Sequence, residues 1–121
     1  MTGERVSPAL RTEQRRTDSA VIVTVHGEVD MNSAPQLQSA LDEALRENAA
    51  AIVLDMSEVG FLGSAGLSVL LTVSQDETSA LRVVPSPAVR RPIEVTALDK
   101  LLELFPSVEA ALAAPDVPPA N

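Results

Sequence analysis

The stretch from Ala50 to Leu71 (AAIVLDMSEVGFLGSAGLSVLL) constrains the fold more than any other part of this chain. It opens with a short apolar run, half of it β-branched, which is typical of a strand that is buried on both faces. It closes with an apolar segment that follows small residues and predicts a helix from about Ser64 to Ser74. The pattern therefore predicts a strand and a helix with a serine displayed at the turn between them.

Composition sets limits on what the folded chain does. Its 121 residues suit one domain, and its core must be aliphatic because it has two Phe and no Trp or Tyr. A net charge of -8 and the scarcity of aromatic rings argue against nucleic-acid binding. No apolar run approaches the roughly 20 residues of a membrane span. The absence of Cys excludes disulfides and thiolate metal sites and suits a cytoplasmic protein.

Strands that alternate with helices predict an α/β domain. We expect a mixed, mostly parallel sheet of four to five strands with about four helices packed on it. Because two strands precede the first helix, the N-terminal edge of the sheet should be antiparallel. The predicted strands are Ala9–Arg16, Val21–Val25, Ala51–Leu54, Leu81–Val84 and Leu101–Leu104. The predicted units are a flexible N-terminus (1–8), the domain (9–114) and a disordered tail (115–121).

Local signals mark the helix ends. Ser33 with Gln36 fits a reciprocal capping box, and that helix should end near Asn48. Ser86 followed by proline starts the third helix, and a fourth begins at Ser107. Pro92 should bend or end the third helix early, because proline removes a backbone donor and clashes one turn back.

Three roles are open to Ser64 from the local pattern. As an N-cap, its hydroxyl would accept a backbone N–H and contribute about 1 kcal/mol. As the nucleophile of a small hydrolase it would sit on a strand-to-helix elbow, but Leu62 stands where that motif has glycine, and the single histidine, His26, precedes the serine. As a modified residue it would place a phosphate at a helix N-terminus, which the N–H groups there favour. Gly66 is expected to leave the backbone open to a large partner.

Carboxylates follow the two strongest strands. Gly27–Asp30 comes just after Val21–Val25, and Asp55 and Glu58 come after the central strand. Because the carboxyl ends of parallel strands share one edge of a sheet, we expect these groups to form an acidic rim. Such a rim could be a solvated loop, an acid–base pair or a weak oxygen-ligand site for a cation. We assign no metal there, and we assign His26 to a strand.

Four short motifs occur in a fixed order and spacing along the chain. They are HGEVD (His26–Asp30), IVLD (Ile52–Asp55), FLGSAGL (Phe61–Leu67) and SPAVRR (Ser86–Arg91). Together they resemble the STAS-domain anti-sigma factor antagonists of bacteria, over nearly the whole folded part from about Val21 to Ala113. The fold that this resemblance implies, a four- or five-stranded sheet with helices packed on it, agrees with the pattern of strands and helices.

The resemblance also implies a function and a site. Members of the family bind an anti-sigma factor that is a serine kinase of the GHKL ATPase type, and so free a sigma factor. That kinase phosphorylates the residue that corresponds to Ser64, and a PP2C-type phosphatase removes the phosphate. The residues that the resemblance implies for partner binding are Gly27, Glu28, Asp30, Gly63, Ala65, Gly66 and Leu67. Such a protein is not an enzyme, needs no cofactor, and is expected to be a monomer or a weak dimer.

The chain departs from the family's pattern at the site. The family usually has Asp-Ser-Ser/Thr-Gly-Leu, whereas here Gly63 replaces the acid and Ala65 replaces the second hydroxyl, which leaves Ser64 as the single acceptor. The connector from Ser74 to Ala80 is also shorter than usual. Two alternatives stay open. One is a STAS module of another assembly, such as a stress-signalling or lipid-transport complex, that works without phosphorylation. The other is the small serine hydrolase.

Overall fold

A computed structural model of the protein describes residues 10–115. Within this range five strands form one sheet: β1 (Leu10–Arg16), β2 (Ala20–Val29), β3 (Ala51–Leu62), β4 (Ala80–Pro85) and β5 (Glu103–Leu104). The same range contains four α-helices: α1 (Ala34–Leu45), α2 (Ser64–Ser74), α3 (Pro87–Val95) and α4 (Val108–Ala113). The predicted flexible N-terminus, and the predicted tail after its first residue, lie outside the described residues.

The strands lie in the order β1-β2-β3-β4-β5 across the sheet. β1 is antiparallel to β2, and each later pair of neighbours is parallel. Parallel neighbours need crossover connections, and α1, α2 and α3 lie in those connections. The predicted mixed α/β sheet with an antiparallel N-terminal edge is therefore confirmed. No helix within residues 10–115 is long and apolar enough to cross a membrane.

Side chains from the two faces of the sheet enter two separate apolar clusters. The larger cluster lies against α1, α2 and α3 and includes Val23 and Leu54. The smaller one includes Ile22 and Val53 together with residues of α4. Adjacent residues of one strand thus belong to different clusters, because alternate side chains of a strand point to opposite faces. With only six residues, α4 covers part of its face.

β3 extends eight residues past Leu54, where the sequence pattern predicts that it ends. Its register with β2 shifts twice, with one extra residue on β3 each time, the second of them at Gly60. Extra residues of this kind are β-bulges, which re-phase the side chains that follow. Residues three apart therefore all face the larger cluster: Met56, Val59 and Leu62.

The observed lengths of β2 and β3 show that two expectations about loops are wrong. Asp55 and Glu58 lie inside β3 and not at its exit. Likewise β2 continues to Val29, so Gly27 and Glu28 belong to a strand and only Asp30 follows it. The period-two pattern of a regular strand stops before these segments, which is why they read as loops in the sequence.

The helix ends agree with the sequence in part. The Ser86 Oγ accepts the N–H of Val89 at 3.2 Å and so caps α3. The Ser107 Oγ accepts the N–H of Ala110 at 3.0 Å and caps α4 in the same way. α3 contains Pro92 and ends at Val95, so the helix does not break at the proline. The predicted last strand is shorter than expected, because a 3-10 helix (Leu98–Lys100) precedes the two residues of β5.

Candidate functional site

The candidate site lies where β2 and β3 end and α2 begins. The N–H of Gly63 donates to the carbonyl of Val29 at 2.9 Å, which joins the turn after β3 to the last residue of β2. The N–H of Leu67 then donates to the Gly63 carbonyl at 3.1 Å, at the start of the helix. Ser64 is therefore held in a fixed position relative to both strands.

Ser64 is the first residue of α2, and it is exposed. The N-cap is Gly63, whose backbone is extended (φ -91°, ψ -178°) and which has no side chain to bond the helix. The prediction that Ser64 caps the helix is therefore wrong by one position. Within residues 10–115 the Ser64 hydroxyl has no hydrogen-bonding partner. The hydroxyl is accessible to solvent.

The first turn of α2 presents backbone donors beside Ser64. The first N–H groups of a helix have no carbonyl one turn earlier to bond, and the positive end of the helix dipole lies at the same place. α2 has 11 residues and carries no acidic side chain in its first turn, so none on the helix itself offsets this positive end. A phosphate on Ser64 would lie close to these donors.

Gly66 is buried against the ends of β2 and β3. A Cβ atom at this residue would lie 2.4 Å from Leu62 Cδ1 and 2.6 Å from Val29 Cγ1. These distances are far inside van der Waals contact, so the missing side chain is what lets the first turn of α2 approach both strands. The expectation that Gly66 leaves the backbone open to a partner is wrong, because its open side faces the core.

We expect Gly66→Ala to lower the free energy of unfolding by about 1–3 kcal/mol, because the buried Leu62 and Val29 side chains must shift to admit a methyl group. Gly60→Ala is the matched control, since nothing lies within 4 Å of its Cβ position. We expect that variant to stay within about 0.5 kcal/mol of the wild type. Urea unfolding measures both, and equal losses in the two variants would contradict the packing role of Gly66.

The other residues of the predicted site differ in how far they are exposed to solvent. Glu28 is exposed on β2. Gly27 has a φ of 115°, in the region that glycine adopts without strain. Ala65 and Leu67 are half-buried and pack partly against the larger cluster. The predicted set is thus brought to one edge of the sheet, and Glu28 and Ser64 are its most accessible side chains.

Asp30 organises the chain between β2 and α1. Its Oδ1 accepts the N–H of Asn32 at 2.9 Å and the N–H of Ser33 at 3.0 Å, and the Ser33 hydroxyl lies 3.2 Å away. The Asp30 carbonyl accepts the N–H of Ala34 at 2.8 Å. These donors, led by the backbone N–H of Ser33, hold the pKa of the Asp30 carboxyl below its ordinary value, because they favour the charged form.

The predicted capping box at α1 is wrong. The Ser33 hydroxyl makes no cap bond; it donates to the Glu28 carbonyl at 2.8 Å and accepts the N–H of Asp30 at 2.9 Å. The Gln36 side chain donates to the Leu10 carbonyl at 2.9 Å on a different strand. Groups that precede the helix and a carbonyl on β1 thus replace the reciprocal pair, and Asp30 bonds the N–H groups at the entry to the helix.

We expect Asp30→Ala to be less stable than the wild type near neutral pH. The folded-state pKa lies below 3.8, so the charged carboxylate stabilises the fold above that pH and this contribution is lost as the pH falls through the folded-state pKa. The gap in unfolding temperature between the two proteins should therefore narrow between about pH 7 and about pH 3. A titration by NMR that places the Asp30 pKa at or above 3.8 would contradict this assignment.

Two apolar residues outside the predicted set are exposed near the ends of β2 and β3. Met31 is 78% exposed and Phe61 is 49% exposed. The Phe61 ring lies against Gly63, with Cε2 and Cζ 3.2 Å and 3.4 Å from the position that a Cβ of Gly63 would take. The sequence could have drawn attention to Phe61, because the chain has only two Phe and no Trp or Tyr.

The acidic residues expected as a rim are spread along the strands. Glu28 lies opposite Phe61 and Glu58 lies opposite His26 in the pairing of β2 with β3. Asp55 lies further from this edge of the sheet, and its carboxylate accepts hydrogen bonds from the N–H and the hydroxyl of Ser57. Across residues 10–115, no three His, Asp or Glu side chains come together in a group that could hold a metal ion.

Comparison with known proteins defines the class to which this site belongs. The family model described as the STAS domain matches residues 11–111. The match covers most of the chain, and it includes the strands, the α2 start and the SPAVRR motif. The chain therefore belongs to the STAS domain family.

Similar proteins specify the resemblance further. The anti-sigma-F factor antagonist RsfB of Mycobacterium tuberculosis is 34% identical over 98 residues, which cover 78% of this chain and 80% of the relative. The crystal structure of an anti-sigma factor antagonist from Mycobacterium paratuberculosis superimposes with a TM-score of 0.81 at 37% identity, covering 88% of this chain and 94% of that one. The resemblance to anti-sigma factor antagonists is confirmed.

A more distant structure shares the fold alone. The anti-sigma factor antagonist SpoIIAA in its unphosphorylated form has a TM-score of 0.67 at 18% identity. The similarity covers 84% of this chain and 93% of SpoIIAA. The order of strands and helices is thus retained while most side chains differ.

Proposed function

We propose that this protein is an anti-sigma factor antagonist whose binding surface is controlled by phosphorylation of Ser64. The observation that carries the proposal is the exposed, unbonded Ser64 hydroxyl at the start of α2. It occurs in a chain that is 34% identical to an anti-sigma-F factor antagonist. In the unmodified form the protein binds an anti-sigma factor and so frees a sigma factor. This role is that of a binding protein and not of an enzyme.

The proposed partner is an anti-sigma factor that is also a serine kinase of the GHKL type, as the family resemblance implies. A kinase must reach the acceptor hydroxyl from outside, and the exposure of Ser64 supports this. A PP2C-type phosphatase would restore the unmodified form. We further propose that the protein acts in the cytoplasm as a monomer or weak dimer, without a cofactor, nucleic acid or membrane.

Charge is the proposed basis of the switch. Phosphorylation adds about 1.5 to 2 negative charges at neutral pH. On this protein they would join a chain with a net charge of -8, with the exposed Glu28 on the neighbouring strand β2. An unpaired charge at a desolvated contact costs several kcal/mol, and about 1.4 kcal/mol is a tenfold change in affinity. One phosphate is thus sufficient to release the partner.

The switch requires no large rearrangement of the antagonist. Gly63 is bonded to Val29, and Gly66 is packed against Leu62, so the backbone that carries Ser64 is fixed by the fold. Gly63 also stands where the family usually has an acid, so the unmodified site carries no charge immediately before the acceptor. In this protein negative charge at the start of α2 would therefore be present only when Ser64 is phosphorylated.

We expect wild type and Ser64→Ala to capture an anti-sigma factor from a lysate of the source organism, and Ser64→Glu to lose it, because the glutamate adds a charge at the contact. Affinity measured with the purified partner should fall at least about tenfold for Ser64→Glu. Ser39→Glu, which adds the same charge at an exposed position of α1, is the matched control and should bind as the wild type does. Equal capture by the wild type and Ser64→Glu would reject the charge switch and favour a STAS module that works without phosphorylation.

We expect the captured partner, incubated with ATP, to phosphorylate the wild type once and Ser64→Ala not at all, because Ser64 is the one hydroxyl in the motif. Mass spectrometry of the peptide that spans α2 locates the phosphate. Modification at Ser57 or Ser68, which are also exposed, would mean that the acceptor has been assigned wrongly.

A further inference from the structure

Phe61 is an aromatic residue at an unusual place for this chain. The protein has two aromatic side chains, and the other one, Phe105, is partly buried against the smaller cluster. Phe61 is instead 49% exposed at the end of β3. Aromatic rings bury large apolar areas and often dominate the energy of protein interfaces. The exposed ring is therefore a candidate for contact with another protein.

The position of the ring connects it with Ser64. Val29 and Leu62 are opposite each other and both enter the larger cluster, so the alternation of a strand directs Glu28 and Phe61 to the other face of the sheet. The Phe61 ring also lies against Gly63, where a Cβ atom would be only 3.2 Å away. The absence of a side chain at Gly63 thus leaves room for an aromatic ring beside the start of α2.

One carboxylate adjoins each exposed apolar residue, in the strand pairing or in the sequence. Glu28 is opposite Phe61 on the neighbouring strand, and Asp30 directly precedes Met31, which is 78% exposed. The pKa of Asp30 is held low by the backbone donors of the following turn, so this carboxyl is charged at neutral pH. We call this set the Ser64 surface; its members are Glu28, Asp30, Met31, Phe61 and Ser64.

We infer that Phe61, assisted by Met31, anchors the anti-sigma factor by entering an apolar pocket that Lys or Arg side chains border. The inference rests on the proposed function and specifies the chemistry of its partner. Charge complementarity supports this occupant, because Glu28 and Asp30 lie at the margin of the apolar groups and the chain has a net charge of -8. Ser64 directly follows Gly63, against which the ring lies, so a phosphate on Ser64 would enter the same contact and oppose the close approach of the apolar pocket by its charge and bulk.

The test is the affinity of the purified anti-sigma factor, identified by capture, for single variants of the full-length protein. Phe61→Ala should weaken binding about tenfold or more, as for a central aromatic residue of an interface. Met31→Ala should weaken it by a smaller factor, and Phe61→Leu should restore part of the loss because it keeps an apolar side chain. Val95→Ala is the matched control, since Val95 is 73% exposed at the far end of α3 and should bind unchanged.

The outcomes distinguish failure of the Phe61 anchor from failure of the proposed function. Thermal unfolding first verifies that Phe61→Ala folds as the wild type does, and Phe61→Leu gives a second variant if it does not. Phe61→Ala that binds like the wild type while Ser64→Glu fails to bind would overturn the anchor and leave the proposed function intact. A wild type that binds no anti-sigma factor would overturn both. Loss of self-association in Phe61→Ala, with unchanged affinity for the anti-sigma factor, would mean that a second copy occupies the surface and would also overturn the inference.

Discussion

The contact between the first turn of α2 and the ends of β2 and β3 is the constraint on which the site depends. Gly66 admits this contact, because any side chain there would overlap Val29 and Leu62. The bond from the Gly63 N–H to the Val29 carbonyl fixes the same turn from the other side. Since both strands belong to the centre of the sheet, the position of Ser64 is determined by the core and not by a flexible loop.

A fixed position has consequences for how such a protein is regulated. Ser64 has no hydrogen bond to break and the backbone around it is packed, so a phosphate there would add charge and volume at the surface without requiring the backbone to move. A change of charge acts most strongly where a contact excludes water, because the added charge then loses its solvation. The exposed Phe61 ring beside Ser64 would provide such a water-excluding contact, so affinity and its control would reside in neighbouring residues.

The order of strands and helices follows from patterns that the sequence carries locally. β-branched runs predict buried strands, and the caps at Ser86 and Ser107 are confirmed because their partners lie three residues away. The capping box at Ser33 failed although it also begins with a serine just before its helix. There the side chain bonds β2 through Glu28, and Gln36 reaches across to β1. Ser86 keeps its cap although its hydroxyl also donates to the distant Val59 carbonyl at 2.6 Å, because the oxygen is still free to accept the Val89 N–H. At Ser33 the oxygen instead accepts the N–H of Asp30, which precedes the helix. A local cap thus holds where the serine oxygen has no other N–H to accept.

The sequence by itself determined the α/β class, the alternating elements and the presence of a serine at the start of the second helix, because periodicity and turn residues act over a few neighbours. Only the tertiary structure decided that β3 passes through two bulges, that Gly66 faces the core and that Phe61 is exposed beside Ser64. Each of these depends on the registration of one element against another. Such contacts join residues that are distant in the chain, and the pattern around any one of them does not encode the pairing.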